Sequence, residues 1–341
     1  LDLVVYQNGD WQNGTPAGYQ QPGPVSEDNG NPNVLYRWNG SGFERVPDAF
    51  EGTRWTLSAS FVDLTGDGKP DVHFSNDYNE DVVYVNEGGG DFRKTVPGNG
   101  TNRNGMSSEV FDANGDGRPD IFVTNIYFNR SAVTAEYTQN YLRNVLGKRA
   151  KGNNLLVNQG DGEFADRADA YGVRHGGWGW AAVAGDLDND GDTDLVHATQ
   201  EFTDTFLRRT FNSSTYPSYY GAPAFFEGQG QGFEQRDASA LGFEEMNSRG
   251  MVKLDYDRDG DLDLLFAPWS QGQYTLYENT GASANWVELS LRGNERQTPV
   301  GATVTVTAGN ETWTRYLDSG ADYQSQDSRT LHVGLGDHET I

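Results

Sequence analysis

The 341-residue chain combines a formal net charge of −25 with 43 glycines and no cysteine. The acidity argues against a nucleic-acid partner or an anionic membrane surface, because both need a basic footprint. The missing cysteines exclude disulfides and thiolate metal sites, and no run approaches the roughly 18 apolar residues of a membrane span. Gly, Asn and Asp punctuate stretches rich in Tyr, Phe, Val and Thr, which predicts an all-β protein of short strands and tight turns.

The first predicted strand lies at the start of the chain, in the run LDLVVY at residues 1–6. A similar run, LDLLF at residues 262–266, occurs where an acidic loop leads into its strand. We therefore expect Asp2 to be the last ligand of a fifth acidic loop that starts upstream, so that the chain begins inside a repeat. A glycine turn, LYRWNGSGF, follows at residues 35–43 with no acidic loop in front of it.

An acidic motif of nine residues then occurs four times, each time between two short apolar stretches. Its copies are DLTGDGKPD at 63–71, DANGDGRPD at 112–120, DLDNDGDTD at 186–194 and DYDRDGDLD at 255–263. A glycine turn follows each copy, as YVNEGGGDF at 84–92, LVNQGDGEF at 156–164, FFEGQGQGF at 225–233 and the partial LYENTG at 276–281. One repeat therefore reads strand, acidic loop, strand, connection, strand, glycine turn, strand. Radial repetition builds such four-stranded antiparallel units into a β-propeller.

The repeats predict a propeller region over residues 1–292, with five units near 1–47, 54–96, 106–173, 178–243 and 249–292. A further β segment, 293–341, is predicted to pack into the propeller or to close it. Three of the units carry long insertions at one structural position, between the acidic loop and the glycine turn. These insertions would gather on one face of the disc, where a rigid scaffold usually presents its recognition loops.

The acidic motif has the donor pattern of a calcium hairpin. Side-chain oxygens at positions 1, 3, 5 and 9 converge because the glycine at position 6 permits a sharp reversal with positive φ, and position 7 adds a backbone carbonyl. Only oxygen donors converge, so the motif predicts a hard cation, and Ca²⁺ tolerates this flexible shell better than Mg²⁺ does. The predicted metal ligands are Asp63, Thr65, Asp67, Lys69, Asp71, Asp112, Asn114, Asp116, Arg118, Asp120, Asp186, Asp188, Asp190, Asp192, Asp194, Asp255, Asp257, Asp259, Asp261 and Asp263. At position 7, Asp192 is expected to offer its carbonyl and to project its side chain to solvent.

Two other interpretations of these loops are weaker. An EF-hand needs a glutamate at position 12 and flanking helices, whereas position 12 here holds Phe, Val or His and the flanks have strand character. A solvated Asx-turn would explain one such loop, but four copies with one spacing favour metal sites. Four bound Ca²⁺ would change the net charge of −25 to about −17. A salt-adapted surface stays open as the source of the remaining acidity.

The insertions of the third and fourth units combine aromatic and basic residues, which a protein or glycan interface favours. Residues 127–151 predict a short helix, with Tyr137, Tyr141 and Val145 at helical spacing. The alternative is that these side chains bury the insertions against each other. The predicted partner-binding residues are Tyr127, Tyr141, Arg143, Arg149, Arg208, Arg209, Tyr219 and Tyr220.

Catalytic motifs are not recognisable in the sequence. Five histidines are scattered without a His-x-x-x-His pair, and there is no nucleophile elbow or phosphate loop. His73 and His197 each follow an acidic loop on a predicted strand, where we expect a packed or hydrogen-bonded role. The sequence therefore predicts a protein that is not an enzyme.

The acidic loops and glycine turns resemble the FG-GAP/VCBS repeats of integrin α-chain propellers and of many bacterial and archaeal extracellular proteins. The tail resembles the ASPIC/UnbV segment of the cartilage acidic protein 1 family through GNERQTPVGATVTVTAG at 293–309, SGADYQSQ at 319–326 and LHVGLG at 331–336. This resemblance implies an extracellular or cell-surface, calcium-bound propeller, usually of seven blades, that acts in adhesion or matrix association. It also implies a further strand beyond Ile341.

Three functional hypotheses follow. The first is a secreted, calcium-stabilised propeller that binds an extracellular protein or glycan through its insertions. The second is calcium-dependent self-assembly into a surface layer or filament, in which an open β edge accepts a strand from another copy. The third is a glycan-binding or glycan-active protein, which would need a pocket with sugar-stacking aromatic side chains.

Overall fold

Short strands make up nearly all of the regular structure. The computed structural model describes residues 2–6, 11–12, 15–16, 30–100, 103–127, 151–200, 221–246, 248–268, 273–282, 284–293 and 298–341. Its strands are β1 (Leu3–Val5), β2 (Trp11–Gln12), β3 (Thr15–Pro16), β4 (Val34–Trp38), β5 (Phe43–Val46), β6 (Trp55–Val62), β7 (Asp71–Asp77), β8 (Val82–Gly88), β9 (Asp91–Thr95), β10 (Ser108–Phe111), β11 (Asp120–Val123), β12 (Asn154–Gly160), β13 (Glu163–Asp166), β14 (Trp178–Gly185), β15 (Asp194–Gln200), β16 (Ala224–Gly228), β17 (Phe233–Arg236), β18 (Ser248–Leu254), β19 (Asp263–Pro268), β20 (Thr275–Tyr277), β21 (Asn285–Ser290), β22 (Ala302–Ala308), β23 (Glu311–Leu317) and β24 (Thr330–Gly336). A short 3₁₀ turn lies at Pro97–Gly100.

Five consecutive antiparallel sheets follow one another along the chain. The second, third and fourth sheets consist of β6 to β9, β10 to β13 and β14 to β17, each in sequence order. The first sheet has the order β1-β4-β5 and the fifth the order β18-β19-β20. This up-and-down arrangement confirms the predicted all-β, propeller-like fold of four-stranded units. The seven blades implied by the resemblance stay a prediction.

The apolar cores lie between consecutive sheets. Leu35 of the first sheet shares a cluster with Phe74 of the second, and Phe122 of the third sheet shares another with Phe226 of the fourth. The first strands of neighbouring sheets also contact one another, from β6 through β10 and β14 to β18. Most residues of β6 and β14 are buried, as expected for strands that are covered on both faces of the sheet.

Long connections leave the third and fourth sheets between their second and third strands, and another joins the first two strands of the first sheet. They join β1 to β4, β11 to β12 and β15 to β16, whereas the corresponding connection in the second sheet spans only residues 78–81. The helix predicted within residues 127–151 falls on residues 128–150, which lie outside the described part of the chain.

The C-terminal part of the chain packs against the sheets. Strands β22 and β23 form a hairpin, and β21 pairs with β24. Between β23 and β24, residues 318–327 cross the first strands of four sheets; we call residues 318–327 the central segment. The carbonyls of Gly320 and Ala321 accept hydrogen bonds from the backbone N–H groups of Ala59 on β6 (3.3 Å) and Ser108 on β10 (3.2 Å).

Candidate metal centres

Each acidic motif forms the loop between the first and second strands of a sheet, in the second to the fifth sheets. The loop closes on its own first aspartate. The glycine at position 6 donates its backbone N–H to that carboxylate in all four copies, from Gly68 to Asp63 at 2.7 Å and from Gly260 to Asp255 at 3.0 Å, for example. These glycines have φ between 78° and 101°, as the motif predicts.

The aspartate at position 9 joins the loop to the glycine turn of the same sheet. Asp71 accepts one backbone N–H from Leu64 at position 2 (2.8 Å) and another from Asn86 in the turn (2.7 Å). The same two contacts recur at the other three loops, where the turn donor is Asn158, Gly228 or Asn279. These aspartates lie at most 4% exposed, so loop and turn are held together by a buried carboxylate.

Burial also makes these carboxylates hard to ionise without a cation. Burial raises the pKa of Asp71 to about 6, of Asp120 to about 7 and of Asp194 to about 8, and neighbouring loop carboxylates add to each rise. The pKa of Asp186 is raised to about 7 by burial, although the Arg315 guanidinium opposes the rise. A positive ion among them would favour the ionised forms.

Two of the loops assemble groups of three carboxylates. Asp186, Asp188 and Asp190 each bring one oxygen to within 4.8 Å of the others, and so do Asp255, Asp257 and Asp263. Asp194 of the third loop and Asp259 of the fourth are not in these groups.

Two buried side-chain oxygens of the loops have no hydrogen-bond partner within the described part of the chain, and such oxygens suit a cation. Asp186 Oδ1 is buried without a hydrogen-bond partner among the described residues, and Thr65 Oγ1 at position 3 of the first loop is in the same condition. Buried oxygens of this kind are costly unless they are hydrogen-bonded or bind a cation. Because all the donors are oxygen, a hard metal ion suits these loops.

The first two loops carry a basic residue at position 7. Lys69 Nζ lies 2.5 Å from Asp67 Oδ2, and Arg118 Nη2 lies 2.5 Å from Asp116 Oδ2. Position 3 supplies a neutral side chain in both, Thr65 or Asn114. The four sites therefore differ in charge, although their backbone folds in the same way.

The side chain of Asp192 corrects the prediction made for position 7. It is half-buried and does not extend freely into solvent, because its Oδ2 accepts a hydrogen bond from the backbone N–H of Gly230 (2.5 Å) in the turn between β16 and β17. At the same position in the fourth loop, Asp261 is 7% exposed and its Oδ1 accepts from Asn189 Nδ2 (3.2 Å). An acid at position 7 thus anchors the loop to a neighbouring turn or loop.

The asparagine of the glycine turn has a role that recurs within this chain and that sequence reasoning missed. Asn158 Nδ2 donates to the carbonyl of Leu64 in the loop of the preceding sheet (2.9 Å), and Asn279 Nδ2 donates to Leu187 O (2.6 Å) in the same way. The signal was present, since Asn recurs at one position of the glycine turns. These bonds link each of the two acidic loops to the sheet that follows it.

The comparison with protein families agrees with this repeat geometry. The family model described as FG-GAP-like repeat matches residues 2–74, 63–123 and 144–197, which together are more than half of the chain. The chain belongs to the FG-GAP-like repeat family. A second model, described as ASPIC and UnbV, matches residues 292–341. No curated protein matches the sequence.

The ASPIC and UnbV segment of this FG-GAP-like protein covers the third acidic loop. Gly334 on β24 donates its backbone N–H to Asp186 Oδ2 (3.0 Å), and His332 Nε2 lies 2.6 Å from Asn189 Oδ1. The backbone N–H of Gly336 donates to the carbonyl of Asn189 (3.0 Å). The C-terminal strands therefore cover the third loop, in which only Asp188 and Asp190 are exposed, whereas four residues are exposed in each of the first two loops.

Of the residues predicted to form the partner face, only Tyr127 lies in the described part of the chain. Tyr127 stacks on His175 with ring centroids 4.1 Å apart and an interplanar angle of 17°. The other predicted partner residues lie outside the described residues: Tyr141, Arg143, Arg149, Arg208, Arg209, Tyr219 and Tyr220.

The two strand histidines are packed in the interior, as predicted. His73 and His197 are both 0% exposed, and burial lowers the pKa of His73 to about 3 and of His197 to about 4. His197 is hydrogen-bonded to Asn153 (3.1 Å) and Thr199 (3.1 Å).

Among the described residues, no helix is long and apolar enough to cross a membrane.

Proposed function

We propose that this chain is a non-enzymatic, extracellular calcium-binding β-propeller that acts in adhesion, matrix or cell-surface association through its long insertions. The observation that carries the calcium part is the buried, partnerless Asp186 Oδ1 within a group of three carboxylates, in a loop whose backbone geometry recurs in four sheets. Ca²⁺ suits the oxygen donors and the flexible geometry of such a loop.

The proposed mechanism is presentation of the insertions on a rigid scaffold. Asp71, Asp120, Asp194 and Asp263 tie the loops to the glycine turns, and Asn158 and Asn279 tie two of those loops to the following sheets. Ca²⁺ would supply the positive charge that these loops need to stay ionised. The long connections then project from strands whose positions are set by the loops, which supports recognition by aromatic and basic side chains.

Calcium binding is tested by calorimetric titration of the full chain and by thermal unfolding in Ca²⁺ and in EDTA. Each occupied site should add about 2.7 kcal/mol to the free energy of unfolding at a Ca²⁺ concentration 100 times Kd. Asp255→Asn should remove one bound ion, whereas Asp91→Asn, at the exposed start of β9 and outside the loops, should leave the number unchanged. Equal melting temperatures in Ca²⁺ and EDTA would sink the calcium proposal.

The partner face is tested by adhesion of the protein to matrix-coated surfaces. A variant with Arg208, Arg209, Tyr219 and Tyr220 changed to alanine should lose adhesion, while its melting temperature stays that of the unchanged protein. Glu234→Ala on β17 is the matched surface control. Light scattering with and without Ca²⁺ tests the alternative that the protein assembles with itself in a calcium-dependent way. Incubation with a panel of polysaccharides tests the alternative that it is a glycan-active protein. Retained adhesion in the fourfold variant contradicts the assignment of this face.

A further inference from the structure

The central segment brings carboxylates to the first strands of the second to fifth sheets, β6, β10, β14 and β18, which we call the inner strands. Tyr323 of this segment packs on Trp180 of β14 with ring centroids 5.1 Å apart, and Ser325 Oγ accepts from the backbone N–H of Met251 on β18 (3.3 Å). The backbone N–H of Lys253 donates to Asp327 Oδ1 (2.9 Å). Asp322 and Asp327 are thereby placed beside the inner strands β10 and β18.

Three carboxylates meet at this place, and none belongs to an acidic loop. Glu109 on β10, Asp322 and Asp327 each bring one oxygen to within 4.8 Å of the others. Glu109 is 6% exposed and Asp322 is 3% exposed. Glu109 Oε1 and Asp322 Oδ1 are buried and accept no hydrogen bond from any other described residue, and the two carboxyl groups lie within hydrogen-bonding reach of each other, so that either a shared proton or a cation must separate them. We call these three residues the central acidic cluster.

Lys253 compensates only part of the negative charge of the central acidic cluster. Its ammonium contacts the Asp327 carboxylate and lies 3.7 Å from Glu109 Oε2, which also accepts the backbone N–H of Ala184 (3.1 Å). One ammonium faces three carboxylates, and Asp318 lines the same cavity.

Arginines near the cavity do not complete the compensation. Arg258, Arg315 and Arg329 line the cavity, yet within the described residues no ion pair joins them to the cluster. Buried charge in excess of its counter-ions is costly, because the ions have lost their hydration. The excess of carboxylates over counter-ions and the close approach of Glu109 to Asp322 therefore point to a missing positive ligand.

We propose that Glu109, Asp322 and Asp327 bind a divalent cation of the Ca²⁺ class, and that this ion fastens the central segment to the inner strands. The donors are all carboxylate oxygens, which hard cations prefer. The cavity has a volume of about 680 Å³, so water molecules can complete the coordination shell. Lys253 remains paired with Asp327 beside the ion. This site is independent of the hairpin loops, because it uses none of their residues.

The number of bound ions tests the proposal. The full chain is dialysed against CaCl₂, and its bound calcium is measured by elemental analysis. The double variant Glu109→Gln/Asp322→Asn should bind one Ca²⁺ fewer per chain than the unchanged protein. Asp116→Asn in the second hairpin loop is the matched control and should remove a different ion, so that combining the variants removes two. Glu234→Gln should remove none.

Hydrogen exchange in residues 318–327 provides a second measurement on the unchanged protein. Ca²⁺ should slow exchange there at least tenfold, and the double variant should lose this effect. The double variant should fold in EDTA at least as well as the unchanged protein, because fewer carboxylates repel one another in the central acidic cluster. If the double variant does not fold, the same measurements are made on Asp322→Asn alone.

The outcomes separate this site from the hairpin sites. An unchanged calcium content in the double variant, or exchange in residues 318–327 that ignores Ca²⁺, overturns the central site and leaves the hairpin proposal standing. One bound ion in the unchanged protein and none in the double variant supports the central site and contradicts the hairpin proposal.

Discussion

At the scale of single residues, the aspartates of the third acidic loop have different structural roles. Asp194 at position 9 accepts backbone N–H groups from Leu187 and Gly228, so it is structural whether or not a cation is bound. Asp190 at position 5 is exposed and belongs to the three-carboxylate group. Asp192 at position 7 holds the turn that contains Gly230. Metal binding and loop anchoring can therefore be separated by mutation.

We predict that Asp190→Ala removes the calcium ion of the third loop, because it deletes one of three clustered carboxylates. Asp192→Ala should keep the ion but lower the free energy of unfolding by about 1 to 2 kcal/mol, since a charge-assisted hydrogen bond to Gly230 is lost. Calorimetric titration and urea unfolding in Ca²⁺ measure the two effects. The prediction fails if the two variants lose the same amount of calcium.

His197 should make stability depend on pH. Its folded-state pKa is lowered by burial to about 4, against 6.5 for a free histidine, so the unfolded chain binds the proton more tightly. The stability that it contributes is complete above pH 6.5 and declines as the pH falls toward 4. Lowering the pH from 7.5 to 5.5 should therefore cost about 1.3 kcal/mol through this residue.

The measurement is urea unfolding of the unchanged protein and of His197→Gln at both pH values. The variant should lose about 1.3 kcal/mol less between them. His175→Gln, at an exposed position, is the control and should follow the unchanged protein. An identical pH dependence for His197→Gln and the unchanged protein contradicts the prediction.

At the scale of elements, the glycine turns do more than connect two strands. Asn86 and Asn158 occupy the same position of their turns, and each donates to a proline carbonyl in the loop of its own sheet. Asn158 also reaches Leu64 in the preceding sheet and is 0% exposed. One side chain therefore couples two sheets at the level of their acidic loops.

This difference predicts unequal effects of the same substitution. Asn158→Ala leaves two buried carbonyls without their donor and should lower the free energy of unfolding by about 3 kcal/mol. Asn86→Ala affects one partly exposed carbonyl within its own sheet and should cost about 1 kcal/mol. Urea unfolding in EDTA measures both without a calcium contribution. Equal losses would argue against the coupling between sheets.

At the scale of the whole molecule, the ASPIC and UnbV segment is part of the core. Tyr323 is 5% exposed and belongs to the same apolar cluster as Trp180, Met251 and Phe266. The central segment also hydrogen-bonds to Ala59, Ser108 and Lys253. It thus contacts the first strands of four sheets, which no single repeat could link by itself.

We predict that Tyr323→Ala lowers the free energy of unfolding by about 4 kcal/mol, as expected for removing a large buried aromatic side chain. Tyr274→Ala, at a tyrosine that is 72% exposed, should change it by less than about 0.5 kcal/mol. Urea unfolding followed by tryptophan fluorescence measures both, because Trp180 lies against Tyr323. A small effect of Tyr323→Ala would mean that the C-terminal segment is dispensable for the propeller core.

Local interactions made much of this protein predictable from its sequence. The loop geometry depends on residues within nine positions of each other, as in the bond from Gly68 to Asp63. Strand order in the second, third and fourth sheets followed from the repeats, because antiparallel neighbours in these sheets are consecutive in sequence. The positive φ of the position 6 glycines followed from the motif alone.

Only the tertiary structure decided what surrounds those loops. The cover on the third loop joins Asn189 to His332, which are 143 positions apart, and the central acidic cluster joins Glu109 to two residues of the central segment. Asp192 was expected in solvent because no local pattern places Gly230 beside it, 38 positions along the chain. Long-range contacts of this kind depend on how the sheets and the C-terminal segment pack together. Repeat spacing carries no information about that packing, whereas it is sufficient to specify each hairpin.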